Sequence, residues 1–496
     1  WLFSFLYVGL LTQVSHNDFN VNYEYDNKDR MSSIIVGNHN YYAKFAYNEA
    51  EQKTTTTLAS GDVFENIEND NGQTTFINYK KVGEYNTIKQ LAYDDYNYLQ
   101  TEIDNLANYT TTYEYDNYGN VTKMQNNLHG KQNSITNEYF EASNFALKSS
   151  SIVVNGKTLN YAYLYSPKSL KRILSITLPN GESQDIRRDR LGRIKETQIY
   201  ALIKQIKYEK VGDYTSNLIS AIEYSNFDFD NLVYKENEKL AYKYDKQGNI
   251  SEIRQNNNLI ARYAYDGLNR LVREDNKIFN KTILFAYDAG GNIVSKNEYD
   301  YTLTETLENG LVSTYKYDMR IWKDQLVEFD YTTIVNNNGN LEKQIQKELF
   351  KYDDIGNPLK YRNKTLQWKY GRQLIKYDDI EYKYNANGIR TSKIIKEDGN
   401  KITINFFLNG NKILCQTENK TTNGKTLYFH YGVDGLAGFN YNAVEYLYKK
   451  NAQNDIIGIC DINGEQIVKY YYDAYGNFKI FVKNNANFLD IEKENG

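Results

Sequence analysis

Apolar and polar residues alternate along most of this chain in short runs, broken at near-regular intervals by Asp, Asn and Gly. The clearest stretch is residues 242–275, YKYDKQGNISEIRQNNNLIARYAYDGLNRLVRED. Tyr242-Lys243-Tyr244-Asp245 is followed by Gly248-Asn249-Ile250, and Tyr263-Ala264-Tyr265-Asp266 by Asn269-Arg270-Leu271 at the same offsets, 21 residues later. Alternation with period two puts both rings of Tyr-x-Tyr on one face of a strand, and tyrosine suits a pleated, half-buried surface. Asp-x-x-Gly predicts a tight reversal. The Asp accepts from backbone N–H groups further round, and the Gly supplies a positive φ. Asn or Arg followed by Val, Ile or Leu restarts the alternation in the returning strand. The unit therefore predicts a β-hairpin. A lone hairpin is marginal in water, so hairpins repeated at a fixed period must pair edge to edge in a continuous sheet.

Copies recur through the chain. Tyr23-Glu24-Tyr25-Asp26 has Asp29 where Gly is expected, and Phe45-Ala46-Tyr47-Asn48 is a weaker echo. Tyr93-Asp94 precedes Asn97-Tyr98-Leu99, and Tyr113-Glu114-Tyr115-Asp116 leads to Gly119-Asn120-Val121. Residues 130–235 are poorer in the motif, although Asp189 to Gly192-Arg193-Ile194 keeps the turn. Asn155-Gly156 and Pro179-Asn180-Gly181 also predict hairpin turns. Later copies are Phe285-Ala286-Tyr287-Asp288 with Gly291, and Phe350-Lys351-Tyr352-Asp353 with Gly356. Tyr382-Lys383-Tyr384-Asn385 with Gly388 and Tyr470-Tyr471-Tyr472-Asp473 with Gly476 complete the set. Tyr315-Lys316-Tyr317-Asp318 lacks the Gly and precedes a strand expected over Trp322–Phe329. No Pro/Gly/Ser linker and no sustained 3.6-residue period interrupts the series, so the expectation is one all-β array. Strand is expected already at Leu10–Val14, with residues 1–20 belonging to a preceding repeat. Residues 481–496 are expected to be a polar, unpaired tail.

Composition supports an ordered β protein. With 49 Tyr and only 3 Pro among 496 residues, the chain has ample aromatic surface to bury, which disordered chains lack. A net charge of −4 with 25% charged residues leaves no basic footprint for nucleic acid or an anionic membrane. The apolar run WLFSFLYVGLLTQV at 1–14 is too short to span a bilayer and has no basic leader, so no membrane span is expected. Cys415 and Cys460 cannot form a disulfide scaffold and show no CxxC spacing, so buried thiols are expected.

The many Asp residues invite a glycosidase reading, with paired carboxylates as acid and nucleophile. Yet Asp116, Asp189, Asp245, Asp266, Asp288, Asp353 and Asp473 share one turn position, which a turn role accounts for. Gly119, Gly192, Gly248, Gly291, Gly356 and Gly476 are the turn partners of all but Asp266, which has Asn269, and Gly388 follows Asn385 in the same place. Tyr113, Tyr115, Tyr242, Tyr244, Tyr263, Tyr265, Tyr287, Tyr352, Tyr382, Tyr384 and Tyr472 are the repeat tyrosines, expected to pack between neighbouring hairpins. Exposed tyrosines of the same ladder would instead stack on sugar rings, the basis of an adhesin alternative. No turn has EF-hand spacing. His16, His39, His129 and His430 show no metal-ligand pattern, and neither GxSxG nor a P-loop occurs. Asn108, Asn280, Asn363 and Asn419 fit the N-glycosylation pattern, which such an Asn-rich chain meets by chance. No catalytic residue, metal or cofactor is nominated.

The unit Tyr-x-Tyr-Asp-x-x-Gly-Asn/Arg, repeated at about 21 residues, resembles the YD repeat of the RHS family. That family includes bacterial polymorphic-toxin carriers, wall-associated proteins and the YD shell of teneurins. Glu445-Tyr446-Leu447-Tyr448, Asp455-Ile456-Ile457-Gly458 and Tyr472-Asp473-Ala474-Tyr475-Gly476-Asn477 are similar to its core-associated C-terminal block. On this resemblance residues 21–444 form the repeat shell, with degenerate repeats at 130–235, and 445–480 form the core-associated block. The resemblance implies a strip of antiparallel hairpins spiralling round an enclosed cavity, in a secreted or cell-surface protein. The implied role is a non-enzymatic shell that sequesters a C-terminal toxic polypeptide as its cargo. A surface adhesin for glycans, cell wall or a partner cell is the alternative, and a carboxylate-dependent glycosidase the third reading. Relatives carry an Asp-Pro-x-Gly-type autoproteolytic site. This chain contains no Asp-Pro dipeptide, so autoproteolysis is assigned to no residue here.

Overall fold

A computed structural model describes residues 2–5, 9–16, 19–37, 41–141, 146–228, 231, 233–308, 310–318, 324–337, 340–397, 399–420, 424–484 and 487–491. Among these residues there are forty-three β-strands and one 3-10 turn, Leu128–Gly130, and no α-helix. The chain advances as a meander. Consecutive strands pair antiparallel, as Val233–Tyr244 does with Ile250–Gln255 and Asn258–Tyr265 with Leu271–Asn276, in two sheets that part between Asn340–Leu349 and Lys360–Tyr361. The two-residue alternation read from the sequence is the cause: a slip of one residue would turn the whole apolar set to the other face.

The strands fall into two compact units, each assembled from separated stretches of chain. The first holds residues 1–134, 287–294 and 313–424, and the second holds 135–286, 295–312 and 425–496. In the first, Tyr79, Ile88 and Leu128 of the early stretch are buried, as are Ile355, Ile394 and Phe407 of the late one. In the second, Ile222, Tyr224 and Leu240 are buried, as are Phe439, Leu447 and Cys460.

Residues 130–235 are as regular as the rest. Leu147–Val154 pairs with Lys157–Ser166 through Asn155-Gly156, whose φ values of 47° and 79° are those of a two-residue hairpin turn. At the start, Leu2–Phe5 pairs with Leu11–His16, which places strand where Leu10–Val14 predicted it. Trp322 lies outside the described residues, and the strand expected around it runs over Leu326–Asn337.

The expectation of an unpaired tail from 481 fails. Phe478–Asn484 pairs with Asn487–Ile491, with Val482 opposite Leu489. The Asn-rich composition there hid a short alternating apolar run, and a hairpin needs no more than that once a neighbouring strand templates it.

Candidate functional site

The repeat turn is built the same way in copy after copy. In Asp245–Asn249 the Gly248 N–H donates to the Asp245 carbonyl at 3.2 Å, and the Asp245 N–H donates to the Asn249 carbonyl at 2.9 Å. Gly248 has a φ of +89°. Asn269, at the same place in the next copy, has +62°, and Asp29 and Asn97 also take positive values. Asn and Asp are the non-Gly residues that tolerate this region best, which is why the motif survives without its glycine. A β-bulge sits beside the second tyrosine in several copies, as where Lys243 faces Glu252 but Tyr244 faces Ile250, while Tyr472 pairs with Phe478 without one.

The turn carboxylate is saturated. Asp245 Oδ1 accepts the N–H groups of Gln247 at 2.9 Å and Asn249 at 2.8 Å, while Oδ2 accepts the Asn249 amide at 3.0 Å. Asp266 repeats this with Leu268, the Arg270 N–H and Arg270 Nε, at 2.9, 2.9 and 2.7 Å. The same side-chain bond from the residue four positions on closes the turns at Asp116, Asp189, Asp288, Asp353 and Asp473. At Asn385 the side-chain oxygen takes the Ile389 N–H at 2.8 Å, before Gly388. The Asn249 side chain chiefly, then the backbone donors, hold the Asp245 carboxyl below its usual range. Asp116 is lowered in the same way by Asn120 and the backbone. The alternation of Asn and Arg at this position was visible in the sequence. Its meaning, a side-chain donor for the second carboxylate oxygen, was not read from it.

The repeat tyrosines have two different jobs. In copy after copy the second tyrosine donates its hydroxyl to a backbone carbonyl of the preceding hairpin. Tyr115 reaches Leu99 at 2.7 Å, Tyr244 reaches Ile219 at 2.8 Å, and Tyr265 reaches Ile250 at 3.0 Å. Tyr352 reaches Leu326 at 2.6 Å, Tyr384 reaches Leu374 at 2.9 Å, and Tyr472 reaches Ile456 at 2.7 Å. The same bond joins Tyr47 to Met31 and Tyr208 to Ile194 in copies where the motif is worn. Several acceptors, including Met31, Leu99, Ile194 and Ile250, are the apolar residue immediately after the preceding turn. Each copy is thus buttoned to the one before it by a bond that packing arguments alone do not reveal. Tyr287 is half-buried.

The first tyrosine turns inward. Tyr242 is 5% exposed and its oxygen accepts the Ala452 N–H at 3.1 Å. Tyr113 donates to Glu102 at 3.4 Å, and Tyr382 lies under the Arg390 guanidinium at 4.1 Å. Tyr263 is half-buried, and its hydroxyl has no hydrogen-bond partner among the described residues.

Within each unit the late stretch docks on the early one through backbone N–H groups at its turns. In the first unit the Ala386 N–H meets Asp104 Oδ2 at 2.6 Å, and Asn387 accepts from Lys89 at 2.9 Å. In the second, the Val433 N–H meets Gln184 at 2.7 Å and the Ala474 N–H meets Glu274 Oε1 at 3.1 Å. Tyr224 donates to the Lys450 carbonyl at 2.8 Å and accepts the Lys450 N–H at 2.7 Å. Asp104 and Glu274 are both 0% exposed, and burial pushes their carboxyls up. Ala386, Ala452 and Ala474 each follow the first residue of a repeat turn, so the donor position is constant.

The early turns leave their tips in solvent: Tyr96, Tyr118, Leu191 and Leu268 are 82, 69, 67 and 70% exposed. Of the histidines, His129 packs its ring nitrogen 3.1 Å from the Thr391 carbonyl, and burial lowers its pKa. His430 Nε2 meets Glu445 at 2.8 Å. His39 and the side chain of His16 lie outside the described residues. Cys415 and Cys460 are buried and form no disulfide. Among the described residues no three His, Cys, Asp or Glu side chains gather as a metal site, and no helix is long and apolar enough to cross a membrane.

No family model matches the chain. It is 32% identical over 186 residues to the tRNA3(Ser)-specific nuclease WapA of Bacillus spizizenii, covering 35% of this chain and 8% of that protein. It is 31% identical over 186 residues to the tRNA nuclease WapA of Bacillus subtilis, with the same coverage. The chain thus spans about a twelfth of the length of the curated relatives it matches. The crystal structure of TcdB2-TccC3-TEV superposes over 96% of this chain and 25% of its own, with a TM-score of 0.61 at 13% identity. That likeness shows the fold: long sheets of consecutive antiparallel hairpins. The WapA matches agree with the resemblance to the RHS/YD-repeat family that the repeat motif carries. The turns and tyrosines described above are what the repeat consists of, and they recur where the motif is hard to see in sequence.

Proposed function

We propose that this RHS chain is the wall of an exported toxin-carrying protein, a non-enzymatic shell that encloses a C-terminal toxic polypeptide and takes part in its delivery. The observation that carries the reading is the uniform buttoning of one hairpin to the next. It extends a sheet copy by copy, while the turn carboxylates that a catalytic reading would need are taken up by the backbone N–H groups and the Asn or Arg side chain of their own turns. The similarity to WapA nucleases and to TcdB2-TccC3-TEV supports it. Under this reading the repeat block 21–444 is shell, 445–480 is the core-associated end, and the protein acts outside the cell or at its surface.

The test is to fuse a protease-sensitive reporter polypeptide after Gly496 and digest the intact fusion with proteinase K. Enclosure predicts a reporter that survives until the β structure is denatured. A reporter cut as fast as the free polypeptide overturns it. The exposed tips at Tyr96 and Tyr118 favour a second reading, an adhesin that binds glycans. Saturable signal on a glycan array, lost with Tyr96→Ala and Tyr118→Ala, would support that reading over the first.

A further inference from the structure

Strands Val233–Tyr244, Ile250–Gln255 and Asn258–Tyr265 of the second unit, with Gln466–Tyr472 of the same unit, surround a cavity of about 530 Å³. Sites for small molecules commonly measure about 300–1,000 Å³ and combine apolar walls with a few polar groups. Here Ile253, Ile260, Ala261, Leu271 and Ile457 provide apolar wall, and Tyr263 and Tyr471 provide rings.

Two polar groups on this wall are not satisfied by the fold. The Lys469 ammonium lies 4.2 Å over the Phe488 ring and has no carboxylate at ion-pair distance among the described residues. Glu238, on the same wall, is already engaged by Lys449 at 3.4 Å and by the Gln255 amide. Burial lowers the Lys469 pKa, and the charge of Glu238 opposes that shift only in part. The Tyr263 hydroxyl is the second group. It stands on Asn258–Tyr265, a different strand of the wall from Gln466–Tyr472, which carries Lys469.

A half-buried cation without a carboxylate partner gains from an anion, and apolar walls favour a ligand with an apolar body. Glu238 disfavours a second negative charge.

We propose that this cavity binds a small monoanionic aromatic carboxylate, its carboxylate on Lys469 and its ring body against Tyr471 and the isoleucines. A polar substituent at the far end of the ligand would meet the Tyr263 hydroxyl. The site goes beyond the carrier reading and does not depend on it.

The probe is 6-hydroxy-2-naphthoate, titrated calorimetrically into the whole chain, with 6-hydroxy-2-naphthamide as its uncharged counterpart. Saturable one-to-one binding is expected for the carboxylate, about tenfold tighter than for the amide, the effect of one charge-assisted contact. Lys469→Met should erase that difference and leave amide binding unchanged, and Lys469→Arg should restore much of it. Tyr263→Phe should weaken both probes. Equal affinity of the two probes for the unaltered chain, or no saturable heat at millimolar probe, overturns the proposal. So does carboxylate binding that is indifferent to Lys469→Met. The probe comparison on the unaltered chain decides the matter even if a variant loses its circular dichroism.

Discussion

At the scale of single residues the repeat is a set of matched donors and acceptors. Gly248 and Asn269 occupy the same turn position with positive φ, and no side chain crowds Gly248 more closely than Leu218 at 4.0 Å. The constraint there is backbone conformation rather than space. Gly248→Val should cost about 1–3 kcal/mol, since a β-branched residue is strained at this φ, whereas Asn269→Gly should leave urea unfolding nearly unchanged. An unaltered unfolding midpoint for Gly248→Val would count against the turn geometry.

The tyrosines give a second contrast. Tyr265→Phe deletes a donor and leaves the Ile250 carbonyl unpaired, an expected loss of about 1 kcal/mol. Tyr263→Phe deletes a hydroxyl with no protein partner and should be close to neutral for stability. Urea unfolding of both variants, followed by circular dichroism, checks the pair, and equal losses would mean the buttoning bond contributes nothing.

Among the elements, the decisive contacts are late turns seated on early strands. Glu274 is 0% exposed and receives the Ala474 N–H, and burial holds its carboxyl above the ordinary value. The linkage sign follows. A raised folded-state pKa means that the folded protein holds the proton more tightly than the unfolded chain does. The resulting stability is present in full below the unfolded pKa and is lost as pH rises through the folded one. At neutral pH the ionised carboxylate is therefore a liability. Glu274→Gln keeps an acceptor oxygen without the charge. It should melt higher than the parent at pH 7, with the gap closing as pH falls into the ordinary carboxylate range. A variant that melts lower at pH 7 would show that the Ala474 bond needs the charge. Asp245 behaves oppositely. Its pKa is lowered by Asn249 and the backbone, so its contribution is present above the unfolded pKa and is lost as acid titrates the folded carboxylate.

On the scale of the whole molecule, each compact unit joins stretches far apart in sequence. The second unit draws on 135–286 and 425–496, and its late turns supply partners to Gln184, Tyr224, Tyr242 and Glu274. Ending the chain at Gly424 removes those partners and leaves the early and late stretches of the first unit in place. Limited proteolysis of that truncated chain should therefore nick residues 135–286 first and spare 1–134. Uniform resistance would mean that the early stretch holds itself without the late one.

The sequence by itself determined the local grammar: alternating strands, Asp-x-x-Gly reversals, the tolerance of Asn269 for the glycine position, and an all-β meander without linkers. These are legible because they depend on residues within one hairpin, and each is encoded by side chains a few positions apart. It also pointed to the tyrosines as the material between hairpins, though not to the bond each second hydroxyl makes. Tyr265 and Ile250 lie 15 residues apart, and no rule of spacing names a carbonyl as the acceptor.

Only the tertiary structure decided which strands are covered by which turns, that Asp104 and Glu274 are buried acceptors rather than surface charges, and that the tail beyond 481 is paired. It also decided that Lys469 and Tyr263 face a cavity. The physical reason is that every copy carries nearly the same local signals. Nothing within a hairpin records which distant copy will lie against it, and that choice is made by burial and by the backbone donors left over once each turn has closed.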